Sequence, residues 1–476
     1  MTARTDANQL LVKLLPPPQA EIVARLGDAF AQAGADLYLV GGVVRDLLLG
    51  RKIGNDLDFA TNAPPENTQQ IGALAKPTSV YLVGEKFGTV GFVFGTDSPI
   101  LAEITTYRRE EYLDGTRHPQ VELTTSLAED LSRRDFTVNA IATDAKTGRF
   151  VDPFDGQSDL ARGILRAVGN PDDRFAEDPL RLLRAARFVS QLGLLIEPDT
   201  LAAMRQGAPS LARISIERIY AELTKLLTGP HPEHGLETLR ETELFATAMP
   251  ELASLVDAAN TWPGIRREKN LWEHTKRVVA QTPPRPAVRW AAVLHDAAKP
   301  QTRTVDELGE VHFIGHERVG ADLAGKLLRR LNADRQMIHT VQRLVELHLR
   351  PASYDPDWTD SAVRRLMLEA GTVLDDLLDL VAADVTSARE DKQHAAAQRI
   401  AELKARIQHL EQERALAEFK SPLDGDELMR LFDRPPGRWI ATIKDQLREM
   451  VLDGELAPND KAQAAEIAKS MLERAG

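Results

Sequence analysis

The chain has 476 residues, 43% of them hydrophobic, a size that exceeds one core and implies roughly two to four domains. It contains no cysteine, which excludes disulfide partners, thiolate chemistry and cysteine-bound zinc and leaves histidines and carboxylates as the strong metal ligands. The formal net charge of −12 excludes little, because a polyanion is bound by local patches and not by the total.

Met1 to Asn8 is polar and unlike a signal h-region, and no run of about 18 apolar residues follows, so no membrane partner and a cytoplasmic address are expected. From Leu37 to about Val151, short β-rich runs (LYLV, TVGFVF, ILAEITT) alternate with helical patterns and predict a mixed sheet with helices. In LVGGVVRDLLLG, Gly41 and Gly42 open a helix near Val43 and let its free amides approach an anionic ligand such as a triphosphate. In the strand-like run NDLDFAT, Asp56 and Asp58 fall on one face and Leu57 and Phe59 on the other, a platform for magnesium. A DxD of this kind standing alone reads more simply as a hairpin with two solvated aspartates.

Two-metal phosphoryl transfer usually needs one more acid near such a pair. Glu103, in ILAEITT, is the candidate, and a solvated strand face explains it equally well. The segment from Tyr107 to Pro119, with Arg108, Arg109, Arg117 and His118, reads as a mobile loop. At Ser126 a capping-box pattern predicts a helix running into RRDFTVNAIA. There Arg133 and Arg134 suit phosphate, with Asp135 and Asn139 orienting them or a ribose; a plain surface arginine pair is the alternative.

Beyond about Ala161 the pattern is almost wholly helical, and Gly229 is placed to close the helix SIERIYAELTKLLTG. In AEDPLRLLRAARF, Asp178 and Pro179 read as N-cap and first helical residue. Asp178 and Arg181, three apart, also set an acceptor beside a forked donor. Cytosine and adenine present a ring-nitrogen acceptor beside an amino donor, whereas guanine and uracil reverse that order, so the pair can choose C and A. Arg184 and Arg187 continue the stripe towards a triphosphate or an RNA end, with simple solvation as the other explanation.

Taken in order, GGVVRD (41–46), DLDF (56–59), RRDFTVNA (133–140), VDPFDG (151–156), EDPLRLLRAARF (177–188) and SIERIYAEL (215–223) resemble the class II tRNA nucleotidyltransferases that add CCA to tRNA, whose heads are similar to the DNA polymerase beta superfamily. The resemblance implies an α+β chain: a polymerase-beta-like nucleotidyltransferase head (1–157), an all-α neck for base recognition and RNA binding (158–260), a metal-binding body (261–390) and a helical arm and tail (391–476). It implies that Gly42 and Arg45 contact nucleotide, that Asp56 and Asp58 bind magnesium, and that Arg134 contacts phosphate. Asp178 and Arg181 would read the base, and Arg184 and Arg187 match further nucleotide contacts; Glu103 matches an acid present in part of the family. CTP, ATP and tRNA are the implied partners. The tRNA 3′-hydroxyl would attack the α-phosphorus and expel pyrophosphate, with no nucleic acid template and no covalent enzyme intermediate.

Further on, His274 in WEHT, His295 and Asp296 in LHDAAKP and Asp384 in AADVTSA resemble the ordered H, HD, D pattern of HD-domain phosphohydrolases. Such ligation suits a second divalent metal, Mn, Ni or Mg, and His316 and His348 are candidates for a further metal position. The analogy suggests phosphatase or 2′,3′-cyclic phosphodiesterase activity; a degenerate, structural HD fold is the alternative. Gln281 to Pro286 reads as a proline-rich loop, and Asp391 to Phe419 as a charged helical arm. The tail (SPLDGDELMRLFDRPPGRWIATIKDQL) looks like a tRNA-holding module, and no aromatic stacking platform is evident in it. Three rivals share features with this reading: a bacterial poly(A) polymerase or a CC- or A-only enzyme, an HD hydrolase or nucleotide sensor with an inactive head, and a non-catalytic RNA-binding scaffold.

Overall fold

A computed structural model of the chain describes residues 14–83, 88–111, 120–257, 270–385, 390–412 and 421–475. The period-two runs become strands β1 (Tyr38–Val40), β2 (Asp56–Thr61), β3 (Ser79–Val83), β4 (Thr89–Phe94), β5 (Ile100–Thr106), β6 (Arg108–Glu111), β7 (Gln120–Leu123), β8 (Ala142–Asp144) and β9 (Phe150–Val151). Seven of these form one sheet in the order β3-β4-β5-β2-β1-β8-β9. It is mixed: β2 and β5 run parallel, with Asp58 opposite Glu103, and the other neighbouring strands are antiparallel. Alternation in β2 buries Leu57 and Phe59 and turns Asp56 and Asp58 to the open face, as the sequence pattern requires. Helices α1 (Pro17–Gln32), α2 (Gly42–Leu48) and α3 (Pro65–Ala73) accompany the sheet, α1 burying Ile22, Val23, Leu26 and Phe30. Between β1 and α2 the chain turns at Gly41 with φ 71°, a left-handed conformation that favours glycine.

The segment after Tyr107 opens and closes as a ladder, β6 on β7, with Arg109 Nε donating to Glu122 at 2.9 Å. Arg117 and His118 lie outside the described residues. Helix α4 (Leu127–Ser132) stops at Ser132 and does not run into RRDFTVNAIA, which forms a 3-10 turn at Thr137–Asn139. The expected capping box is half present. Ser126 Oγ accepts the Glu129 amide, but the Ser126 amide turns to Thr124 Oγ1, and Thr124 donates to Glu129.

The helical part of this first unit, Met1–Pro250, contains α5 (Gly156–Arg162), α6 (Pro171–Glu177), α7 (Leu180–Leu192), α8 (Pro198–Gly207), α9 (Ile216–Leu227) and α10 (Pro232–Glu241). Helix α7 buries Leu182, Leu183, Ala185, Ala186 and Val189 and packs against α9 and α10. Helix α9 is capped at Thr228, so Gly229 does not close it. A Cβ there would meet Ser190 Oγ at 2.3 Å, and glycine serves the helix contact instead. The VDPFDG segment has a structural logic of its own: Asp152 accepts the Gly156 and Gln157 amides at 2.8 and 2.9 Å and caps α5.

The second unit, Glu251–Gly476, is built mainly of helices. Its principal ones are α11 (Leu271–Gln281), α12 (Pro286–Leu294), α13 (His316–Arg330), α14 (Arg335–Leu347), α15 (Asp360–Ala370), α16 (Leu374–Ala383), α17 (Glu390–Gln412), α18 (Gly425–Phe432), α19 (Arg438–Leu452) and α20 (Lys461–Ala475). The last three close over Leu428, Ile443, Leu447, Val451, Ala464 and Ala468. Phe432 and Trp439 meet edge to face at 6.1 Å and pack on that cluster, so the tail does hold an aromatic pair, one spent on its core. Among the described residues no helix is long and apolar enough to cross a membrane.

Gly156 is a sharp test of the packing under the sheet. An added Cβ would stand 2.1 Å from the Thr137 carbonyl oxygen, which is backbone and cannot swing away. Gly156→Ala is expected to lower stability by about 1–3 kcal/mol, the usual cost of overpacking, read as a lower thermal midpoint.

Candidate active site and histidine centre

Gly41, Gly42, Arg45, Asp58, Arg134, Asp135, Asn139, Asp178, Arg181, Arg184 and Arg187 line one open cleft of about 530 Å³, joined by Arg133, Leu180, Phe188, Gln191 and Arg218. Seven arginines thus face three aspartates, an excess of cation suited to a polyphosphate.

The acidic rim comes from the sheet. Asp58 stands on the open face of β2 beside Asp56, and its register partner Glu103 accepts from Tyr81 Oη at 3.3 Å. Tyr81 reaches Glu103 across Gly91, where any Cβ would fall 2.3 Å from the ring. Desolvation by the surrounding protein raises the Asp58 carboxyl above its usual range; Arg134 opposes the shift, and Glu103 and Asp56 add to it. An all-oxygen donor set that resists holding its own charge fits a hard divalent cation.

Carboxylates set the cationic wall. Asp130, 1% exposed, accepts from Arg133 Nη2 at 2.7 Å and Arg134 Nη2 at 3.3 Å. Burial works to raise its pKa, but these two guanidiniums outweigh it and hold the carboxyl below the usual range. Asp130, not Asp135, therefore orients the arginine pair. Asp135 instead takes both Nε and Nη2 of Arg184 at 2.8 and 2.5 Å and the Asn139 amide at 2.9 Å. Asn139 Oδ1 in turn accepts from Arg45 at 2.7 Å. Arg187, 8% exposed, pairs with buried Glu222 of α9 at 3.2 Å. The guanidiniums of Arg45, Arg184 and Arg187 lie 5.4, 5.5 and 4.3 Å from the Phe188 ring centre, which makes that ring a shared cation–π seat.

Asp178 and Arg181 both reach the cleft, but the structure does not pair them with each other. Arg181 donates to Glu177 Oε2 and to the Arg133 carbonyl, each at 2.8 Å. Asp178 accepts the Leu180 amide through Oδ1 and lies 3.1 Å from Arg218 through Oδ2. Helix α7 starts at Leu180, one residue later than the sequence pattern places it, and Asp178 still caps its first turn.

In the second unit six polar side chains converge from five helices. His274 lies within α11, His295 and Asp296 follow α12, His316 begins α13, His348 follows α14 and Asp384 follows α16. His274 Nε2 is 3.0 Å from Asp384 Oδ1, 3.3 Å from Asp296 Oδ2 and 3.2 Å from His295 Nε2. Asp296 Oδ1 is 3.4 Å from His316 Nε2 and 3.9 Å from His348 Nε2. Two groups with metal-ligand spacing result, His274–His295–Asp384 and Asp296–His316–His348. The Nδ1 atoms of His295, His316 and His348 lie 2.7–2.8 Å from the carbonyls of Ala292, Phe313 and Val345. That leaves each Nε2 to face the centre, the usual outer support of a metal-binding histidine. His316 Nε2, His348 Nε2 and Asp296 Oδ1 are buried without a hydrogen bond, which fits a cation between them. Burial lowers the His295 pKa, but Asp296 and Asp384 overcome this and push it up to about 10. Burial and the His295 charge push His348 down to about 4.

The Poly A polymerase head domain profile matches residues 37–166, a probable RNA and SrmB-binding site of polymerase A matches 193–255, and an HD domain matches 271–389. A CCA-adding enzyme of Geobacillus sp. (strain WCH70) is 33% identical over 427 residues, 89% of this chain and 91% of that relative. The chain belongs to the CCA-adding enzyme family. The Geobacillus kaustophilus CCA-adding enzyme is 42% identical over 285 residues, 58% of this chain and 66% of its own length. A crystal structure of the Bacillus stearothermophilus CCA-adding enzyme in complex with CTP superposes with a TM-score of 0.72 at 30% identity, covering 97% of this chain and 99% of the other. The Thermotoga maritima CCA-adding enzyme complexed with tRNA shares the fold at 20% identity and a TM-score of 0.61.

Sequence reasoning passed over Asp130, Arg218, Phe188 and Tyr81 in this family member. Asp130 carries a usable signal, since it stands three and four residues before Arg133 and Arg134. Phe188 sits in a motif but reads as one more apolar core residue, and nothing in its neighbourhood marks Tyr81.

Because its folded-state pKa lies above the unfolded value, ionised Asp58 costs stability at neutral pH, a cost relieved as pH falls. In protein stripped of divalent cations, Asp58→Asn is expected to raise the thermal midpoint at pH 7 while abolishing nucleotide transfer. For His295 the sign is reversed: its charged form contributes stability below about 6.5 that is lost as pH rises through about 10. Metal binding at the histidine centre at pH 7–8 should therefore release a proton, seen as calorimetric heats that change with buffer ionisation enthalpy and absent in His295→Ala.

Proposed function

We propose that the chain adds C, C and A from CTP and ATP to the 3′ end of tRNA without a nucleic acid template. One observation carries this reading: Asp58 of the acidic strand and the Asp178/Arg181 pair line the same arginine-rich cleft, so phosphate chemistry and base choice act on one nucleotide. Magnesium, held by Asp56 and Asp58 with Glu103 at their side, would supply Lewis-acid polarisation of the α-phosphate. Arg45, Arg134, Arg184 and Arg187 bind the triphosphate and offset charge as pyrophosphate leaves. The RNA 3′-hydroxyl attacks the α-phosphorus in line, forming the new phosphodiester and breaking the α–β phosphoanhydride. Asp178 accepts from the amino group of cytosine or adenine while Arg181 donates to the ring nitrogen, a choice made by side chains. Resemblance to CCA-adding relatives across nearly the whole chain supports this over poly(A) addition.

The same reading divides the chain into a head (1–157), a neck (158–260), an HD body (261–390) and an arm with a tail (391–476), working on tRNA in the cytoplasm. A second activity is favoured by the unpartnered Nε2 atoms of the histidine centre: a phosphohydrolase using Mn, Ni or Mg on RNA ends.

Incubation with magnesium, labelled CTP and ATP and a 3′-truncated tRNA should give C, C, A in that order and then stop; a long run of A would overturn the reading. Asp56→Ala should slow addition by about a thousandfold, the loss of several kcal/mol of transition-state stabilisation, and leave metal-dependent phosphohydrolysis intact.

A further inference from the structure

Arg218 lines the cleft from α9, a different helix from the one that carries Arg181, and no motif assigns it to the nucleotide. Its Nη2 stands 3.1 Å from Asp178 Oδ2, and the Leu180 amide stands 3.1 Å from Oδ1. Two donors from two directions thus fix the rotation of one carboxylate, while each oxygen keeps a lone pair for a further donor. Arg181 is fixed independently by Glu177, the Arg174 carbonyl and the Arg133 carbonyl. Both halves of the base-reading pair are therefore oriented by groups outside the pair.

We propose that Arg218 is a positioning residue for base selection, holding the Asp178 carboxylate so that it meets an exocyclic amino group and opposes a carbonyl oxygen. This rests on the template-independent CCA-adding reading and adds to it the group that makes rejection possible. Guanine and uracil set a carbonyl oxygen where cytosine and adenine set an amino group. Acceptor against acceptor is costly only when the carboxylate cannot turn aside. The Leu180 amide alone leaves the second oxygen free to swing; with Arg218 in place a wrong base meets a fixed negative edge. Arg218 supplies discrimination more than affinity.

The side chain of Arg218 is 51% exposed, so its loss opens no core cavity, and an exposed ion pair contributes little to stability. The decisive measurement is kcat and KM for single additions of CTP, UTP, ATP and GTP to 3′-truncated tRNAs by the full chain with magnesium. In Arg218→Ala the preference for CTP over UTP and for ATP over GTP should fall about tenfold or more, with the thermal midpoint unchanged. Arg218→Lys, which keeps a charge beside Asp178, should recover most of the preference. An equal rise in KM for all four nucleotides with the preference intact would show a phosphate contact and overturn the proposal. So would a fall in thermal midpoint shared by both variants, which marks a structural role. If the unaltered chain does not prefer CTP and ATP, the CCA-adding reading itself fails, an outcome separate from either of these.

Discussion

Crowding of guanidinium groups is the constraint around which the first unit is arranged. Two such charges about 5 Å apart repel by roughly 3 kcal/mol at an effective dielectric of about 20, and the cleft gathers seven. Each is tied to an anion or an amide on neighbouring structure: Arg133 and Arg134 to Asp130, Arg184 to Asp135, Arg181 to Glu177, Arg187 to Glu222, Arg218 to Asp178, and Arg45 to Asp46 and Asn139. Burial and the charge of Arg184 still lower the Arg187 pKa, a mark of repulsion not fully relieved. A triphosphate adds negative charge where this arrangement is least satisfied, so the same crowding that costs stability favours binding.

What the sequence discloses of this follows from which contacts are local. The alternation that puts Asp56 and Asp58 on one face of β2 is a property of the strand alone, and it appears as read. Glu103 needs the parallel pairing of β2 with β5, a crossover that periodicity does not specify. Asp135 illustrates the harder case: its sequence neighbours are Arg133 and Arg134, yet its carboxylate serves Arg184, 49 positions away. Asp178 and Arg181 stand at pairing distance along a helix and still take other partners, because Arg218 and Glu177 are nearer in direction. Spacing along one element identifies which residues face a site. It does not settle which of them hold one another.

The histidine centre repeats that lesson with a stricter geometry. The H, HD, D order identifies four side chains, but the geometry rests on main-chain carbonyls, which no sequence pattern displays. Each carbonyl comes three residues before its histidine, at or near a helix end, where such acceptors lack helical partners. Ring orientation is thereby built into the backbone of α12, α14 and the turn before α13, and the Nε2 atoms are aimed inward whatever occupies the centre.

The two sites are electrostatic opposites, and their difference explains why the net charge of −12 says so little. In the cleft, buried carboxylates balance arginines that cannot lose their protons, so neutralisation comes from paired side chains and from incoming phosphate. In the histidine centre the balancing cation is changeable. Asp296 is buried and held well below the usual carboxylate range: burial works to raise it, but the His295 charge and the nearby His274 and His295 rings prevail, with Lys299 Nζ also 2.6 Å away. A proton on His295 and a divalent cation are alternatives for the same negative centre. The first site is thus insensitive to pH across the neutral range through its arginines, whereas at the second a bound divalent cation would compete with protons.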